Sequence, residues 1–164
     1  MATYTKNWVR NAPQYDCRPY GNYTELLAEL EFDASGELVN FEGAVTPAPT
    51  DVLIPIEMPA GFAFSDATAI ISDAAGQAAT ITVGHAYVDG VDDAAHPEGT
   101  ATIFSAAVAL DTAARIRTPA PTAIIPFPKR ASMVVTIAGV QIASACKVQI
   151  AIRGVLTGSG NLPD

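Results

Sequence analysis

From residue 25 the chain alternates in polarity. Leu26, Ala28, Leu30 and Phe32 interleave with Leu27, Glu29, Glu31 and Asp33. Side chains of a strand point to opposite faces in turn, so a period of two predicts a half-buried β-strand. Asp33-Ala34-Ser35-Gly36 predicts a turn, and 37–41 a returning strand. Val52 to Met58 is apolar but contains Pro55, which predicts an edge strand. Phe62, Phe64, Asp66, Thr68 and Ile70 are expected on one alternating face of the next strand. Across the polar segment 72–77 it is expected to form a hairpin with 79–84. Residues 84–100 read as a polar loop. The alanine-rich stretch 103–114 has apolar residues at helical spacing and predicts one short helix, with a strand over 101–108 as the alternative. Met133, Val135 and Ile137, then Val148, Ile150 and Ile152, predict two further strands.

Short strands at roughly ten-residue spacing, with turn residues between them, indicate an all-β fold. The expected architecture is an antiparallel β-sandwich or jelly roll over 25–158, with an extended N-terminal arm over 1–24 and a flexible tail over 159–164. At most one short helix is expected. The chain has 164 residues, enough for a real core without disulfide staples. Cys17 and Cys146 match no metal or redox spacing and read as free thiols in a reducing cytoplasm, with a long-range bridge left open.

The first 24 residues differ from the rest. They hold Tyr4, Trp8, Tyr15, Tyr20 and Tyr23, and Pro13, Pro19 and Gly21 break any periodicity. Lys6, Arg10 and Arg18 stand against Asp16, a balance of +2 in a chain of net charge −8. Tyr, Trp and Arg dominate interface hot spots, so Trp8, Arg10, Tyr15 and Tyr20 are the candidate partner-binding residues. Packing of this arm back onto its own domain is the competing reading. The acidic remainder disfavours nucleic acid. No apolar run long enough for a membrane span occurs, and the N-terminus lacks the apolar core of a secretory signal.

Catalytic motifs are missing from the sequence. His85 and His96 are the two imidazoles, and no nucleophile elbow, zinc-protease helix, phosphate loop or dinucleotide fingerprint accompanies them. A non-enzyme with no cofactor and no metal site is expected. His85, Asp89, Asp92, Asp93, His96 and Glu98 could in principle ligate a cation, but their spacing does not match an EF-hand, and a solvated acidic loop is the simpler reading. Arg115 and Arg117, and likewise Lys129 and Arg130, read as solvated or salt-bridged loop charges rather than an anion site.

One stretch carries a resemblance. Met58-Pro59-Ala60-Gly61-Phe62, Ser65-Asp66-Ala67, Asp73-Ala74-Ala75-Gly76, Thr80-Ile81-Thr82-Val83-Gly84 and the segment 104–114 follow in order, and 148–158 closes the chain. This resembles the β-sandwich decoration (cement) proteins of tailed-bacteriophage capsids, loosely over 52–158 and hardly at all over the arm. The resemblance implies a jelly-roll or related sandwich, a homotrimer, bound to the major capsid protein on the outer surface of a virion assembled in the host cytoplasm. A phage fibre, tail or baseplate module is the alternative, with Tyr87 beside the acidic loop as its one glycan-binding cue. A lattice-building shell protein is a third reading, disfavoured by the scarcity of expected helix.

Overall fold

The computed structural model describes residues 1–5, 23–39, 41, 46–99, 101–104, 106–117 and 126–157. Among them the chain forms β1 (Thr3–Thr5), β2 (Tyr23–Phe32), β3 (Val52–Ile54), β4 (Glu57–Met58), β5 (Phe62–Asp73), β6 (Ala79–Tyr87), β7 (Val108–Ala109), β8 (Ala114–Arg117), β9 (Ala131–Gly139) and β10 (Cys146–Leu156). One sheet has the order β1-β3-β9-β6-β7, with β4 also on β9; the other has the order β2-β10-β5-β8. All pairings are antiparallel except that of β1 with β3. The fold is an all-β sandwich, and no helix occurs among the described residues, so none there is long and apolar enough to cross a membrane.

The core lies between the sheets. Leu26, Ala28 and Leu30 of β2, Ala67, Ala69 and Ile71 of β5, and Val148, Ile150 and Ile152 of β10 meet Leu53, Ile81, Val83, Met133, Val135 and Ile137 from the opposite sheet. Their alternation with exposed or half-exposed neighbours is the period of two read from the sequence. Burying each such aliphatic side chain contributes about 1.5–3 kcal/mol relative to leaving it exposed.

The pairing departs from the sequence reading in several places. β5 and β6 are not a hairpin: β5 joins the sheet of β10, and β6 that of β9. The segment between them crosses the sandwich, with Ala75 buried and its N–H donating to Leu110 O at 2.8 Å. Nor do Phe62, Phe64, Asp66, Thr68 and Ile70 share a face. Arg153 pairs with Asp66 but Gly154 with Phe64, so Ser65 is an extra residue, a β-bulge. Past it the parity flips, and Ala67, Ala69 and Ile71 turn into the core. In place of the returning strand expected at 37–41, Leu38 forms a bridge with Phe32, and Phe41 also carries a bridge.

Residues 103–114 contain no described helix. Val108 and Leu110 are buried while Ala107 and Ala109 are exposed, a two-residue period that tertiary burial imposes over alanine's helical preference. Arg115 and Arg117 stand on β8 rather than in a loop. Pro55 separates β3 from β4, and β1 lies outside β3, so β3 is not the edge. His85 to Tyr87 belong to β6, which shortens the expected polar loop at 84–100.

Candidate functional site

The expected partner-binding residues Trp8, Arg10, Tyr15 and Tyr20 lie outside the described residues. The described ends of their segment sit in the two sheets, Thr3–Thr5 as β1 and Tyr23 at the start of β2. Asp51 holds the first of these. Its carboxylate accepts the N–H of Ala2 at 2.6 Å and that of Ala48 at 3.0 Å, and Tyr4 Oη lies 3.5 Å away. Those two backbone donors keep its carboxyl below the usual carboxylate range. Asp51 is aimed by Thr50, whose φ of 79° is a conformation that β-branched residues rarely adopt. The turn persists because Thr50 N–H donates to Ile137 O at 2.8 Å and Asp51 N–H to Ala48 O at 3.0 Å.

The two histidines do come together. Their ring centroids are 5.0 Å apart, His85 meets Phe127 edge-on at 4.9 Å, and His96 stacks on Phe127 at 4.6 Å. His85 is buried on β6. Its Nδ1 is 2.7 Å from Thr102 Oγ1, which also accepts the His85 N–H and donates to Gly99 O. Thr102 thus holds the Nδ1 side of the ring, while Nε2 is buried without a hydrogen-bond partner. Burial, and after it the neighbouring His96, pulls the His85 pKa below 6.5; burial likewise lowers that of His96. A relay of hydroxyl, imidazole and carboxylate needs the acid on the second ring nitrogen, and none stands there. The pair packs; its geometry offers no proton relay.

The acidic loop over these rings is tied to backbone donors. Asp92 Oδ1 accepts the N–H groups of Asp93 and Glu98 at 2.8 and 2.7 Å, Asp93 Oδ1 those of Ala95 and His96 at 2.9 and 3.1 Å, and Glu98 that of Tyr87. Lys129 pairs with Asp89 at 2.8 Å. Among the described residues no group of three or more potential ligands is arranged to hold a metal ion. Tyr87 does not present its ring to a sugar: it is 4% exposed, donates its hydroxyl to His96 O at 2.8 Å, and carries Lys129 Nζ 4.7 Å from its ring centroid. Burial, with the acidic loop adding to it, pushes its phenol up to about 12. Cys146 is a free, buried thiol pushed up to about 11 by that burial; Cys17 lies outside the described residues.

On the outer face of the sheet β2-β10-β5-β8 the pairing fixes charged residues in rows. Lys147 stands opposite Glu31, Gln149 opposite Glu29 and Arg153 opposite Glu25. Gln149 Nε2 donates to Glu29 at 2.9 Å, Lys147 lies 3.3 Å from Glu29 and 3.6 Å from Glu31, and Arg153 pairs with Glu25. Arg153 also reaches Thr68 at 3.2 Å and Asp66 at 3.6 Å. Arg117 binds Asp66 from β8. Elsewhere, Arg130 pairs with Glu57. Arg117, Lys129 and Arg130 are thus salt-bridged, and Arg115 is exposed without an ion pair among the described residues.

No protein-family model matches the sequence, and no curated protein does. The fold is matched by a chain in a solved structure described as "Capsid of Ralstonia phage GP4", with a TM-score of 0.58 and 18% identity over 97% of this chain and 100% of that one. At that identity the two chains share an architecture, almost end to end.

Proposed function

We propose that this chain is a non-catalytic structural protein of a bacteriophage virion, a decoration protein that binds the outer surface of the capsid shell and stabilises it. The observation that carries the reading is the fold match, which extends over nearly the whole chain, to a chain described as phage capsid. The residue pattern over 52–158 that resembles decoration proteins supports the same class independently. A sandwich whose described residues include no helix suits an accessory shell component better than a lattice builder. The partner is the major capsid protein, and the chain binds it as a homotrimer through Trp8, Arg10, Tyr15 and Tyr20 of the N-terminal segment.

The mechanism is mass action. A protein that binds the assembled lattice and not its free subunits lowers the lattice's free energy by the binding term. Contacts made by each of several linked arms multiply this without any single one being tight. The test is sedimentation of the purified protein with undecorated shells of the major capsid protein from the same phage. Comigration with shells and a higher shell-disruption temperature support the reading. Protein left at the top of the gradient, or closed particles formed by this chain alone, contradicts it.

A further inference from the structure

Between β2, β10, β5 and β8 the charged face sinks into a hollow of about 370 Å³ lined by Tyr23, Asp66, Thr68, Arg115, Arg117 and Arg153. The pairings explain why it exists. Thr68 stands opposite Arg117 and Ile70 opposite Arg115, so both β8 guanidiniums project on the outer side while Ala114 and Ile116 pack against the core. The Ser65 bulge brings Asp66 onto that same outer side. Asp66 is 6% exposed, and its carboxylate is the floor on which Arg117 and Arg153 are held. Glu25 takes Arg153 from the rim.

Among the described residues the charges around the hollow do not balance: three guanidiniums face one lining carboxylate, or two when Glu25 at the rim is included. Arg117 and Arg153 are occupied. The Arg115 side chain makes no ion pair or hydrogen bond within the described residues and is exposed, on the wall of a hollow that the exposed Tyr23 also lines. A chain of net charge −8 thus carries a built, positive recess whose unmatched group is a planar fork suited to bidentate carboxylate binding.

We propose that this hollow is a docking site for a carboxylate-bearing segment of a partner protein, with Arg115 as the group that binds the carboxylate and Arg117 and Tyr23 as its walls. Charge complementarity selects the occupant: an acidic side chain completes the balance that Asp66 and Glu25 leave open. Asp66 is the positioning residue, because it holds Arg117 and Arg153 in place without reaching the guest itself. The proposal does not depend on the capsid reading.

The test is a nuclear magnetic resonance titration of the full chain with an acetylated, amidated hexaglutamate peptide. Saturable shifts are expected at the Arg115 and Arg117 Nε–H signals and at Tyr23. Affinity is expected to fall about tenfold or more in Arg115→Gln, the loss typical of one bidentate charged contact, and to be unchanged in Lys129→Gln, which removes a cation elsewhere. Circular dichroism establishes that both variants remain folded. Equal shifts with a hexaglutamine peptide, unchanged affinity in Arg115→Gln, or inorganic phosphate binding at Arg115 as tightly as the peptide would each overturn the proposal, the last by making the hollow a simple anion site.

Discussion

Arg117 Nε lies 3.0 and 3.1 Å from the two carboxylate oxygens of Asp66, and this contact fastens β8 to β5. The two partners are unequally exposed: the Asp66 side chain is 9% accessible and that of Arg117 73%. Truncating Arg117 leaves Asp66 with Arg153 and water, whereas truncating Asp66 removes the acceptor that Arg117 and Arg153 share. Asp66→Ala is therefore expected to lower the urea midpoint clearly more than Arg117→Ala does. Equal effects would mean that Asp66 is solvated like an ordinary surface carboxylate.

The face assignment of β2 is tested by two of its leucines. Leu30 is fully buried and Leu27 is 51% exposed. Leu30→Ala should cost about 2–5 kcal/mol in chemical denaturation, and Leu27→Ala no more than about 0.5 kcal/mol. A reversed order would place the strand in the other register.

Gly154 lies where the bulge brings β5 close to β10. A Cβ there would fall 2.3 Å from Ala63 O and 2.8 Å from the tip of the Phe62 ring. The first of these is backbone and cannot swing aside. Gly154→Ala is expected to destabilise the fold by about 1–3 kcal/mol, the usual range for overpacking, as read by the thermal midpoint. A neutral result would show that the two strands are not held this closely.

The histidine pair makes stability depend on pH. Both rings have pKa values below the ordinary 6.5 because burial disfavours their charged forms. The unfolded chain therefore takes up protons first as pH falls. Stability is full above about 6.5 and declines from there down through the folded-state values. The urea midpoint should drop over that window, and the drop should shrink in His85→Phe. Stability that instead rises on acidification from pH 7 to 5 would mean that the rings gain a partner on protonation.

Much of the fold was legible in the polarity pattern, and what escaped it has definite causes. Alternation identifies faces, so the buried rows of β2, β9 and β10 could be read directly. It carries no information on partners, and β5 and β6, adjacent in sequence, went to opposite sheets across buried Ala75. Ser65 shows the limit most clearly: a bulge needs no distinctive residue, yet it reverses the face of the positions that follow, Asp66 to Ile71. The alanines of 106–114 suggested a helix because propensity is local, while the burial of Val108 and Leu110 is not. Tyr87 looked like a loop aromatic, and its burial depends on Lys129 and His96, one of them 42 residues away in sequence. The charged hollow has no signature in the sequence for the same reason, since Asp66, Arg115 and Arg153 meet through strand pairing alone.

The N-terminal residues offer a direct mutational test of the proposed shell contact. Trp8→Ala, Arg10→Ala, Tyr15→Ala and Tyr20→Ala, combined in one chain, should leave the thermal midpoint near that of the parent and reduce shell occupancy about tenfold or more, as interface hot spots do. Occupancy equal to the parent's would remove these four residues from the interface.

Cryo-electron microscopy of the native virion tests the central claim most directly. The account predicts a two-sheet domain of this topology seated on the outer face of the shell, in three-fold clusters touching the major capsid protein. The same domain found in the tail or baseplate, forming the continuous shell itself, or missing from the particle altogether would contradict it.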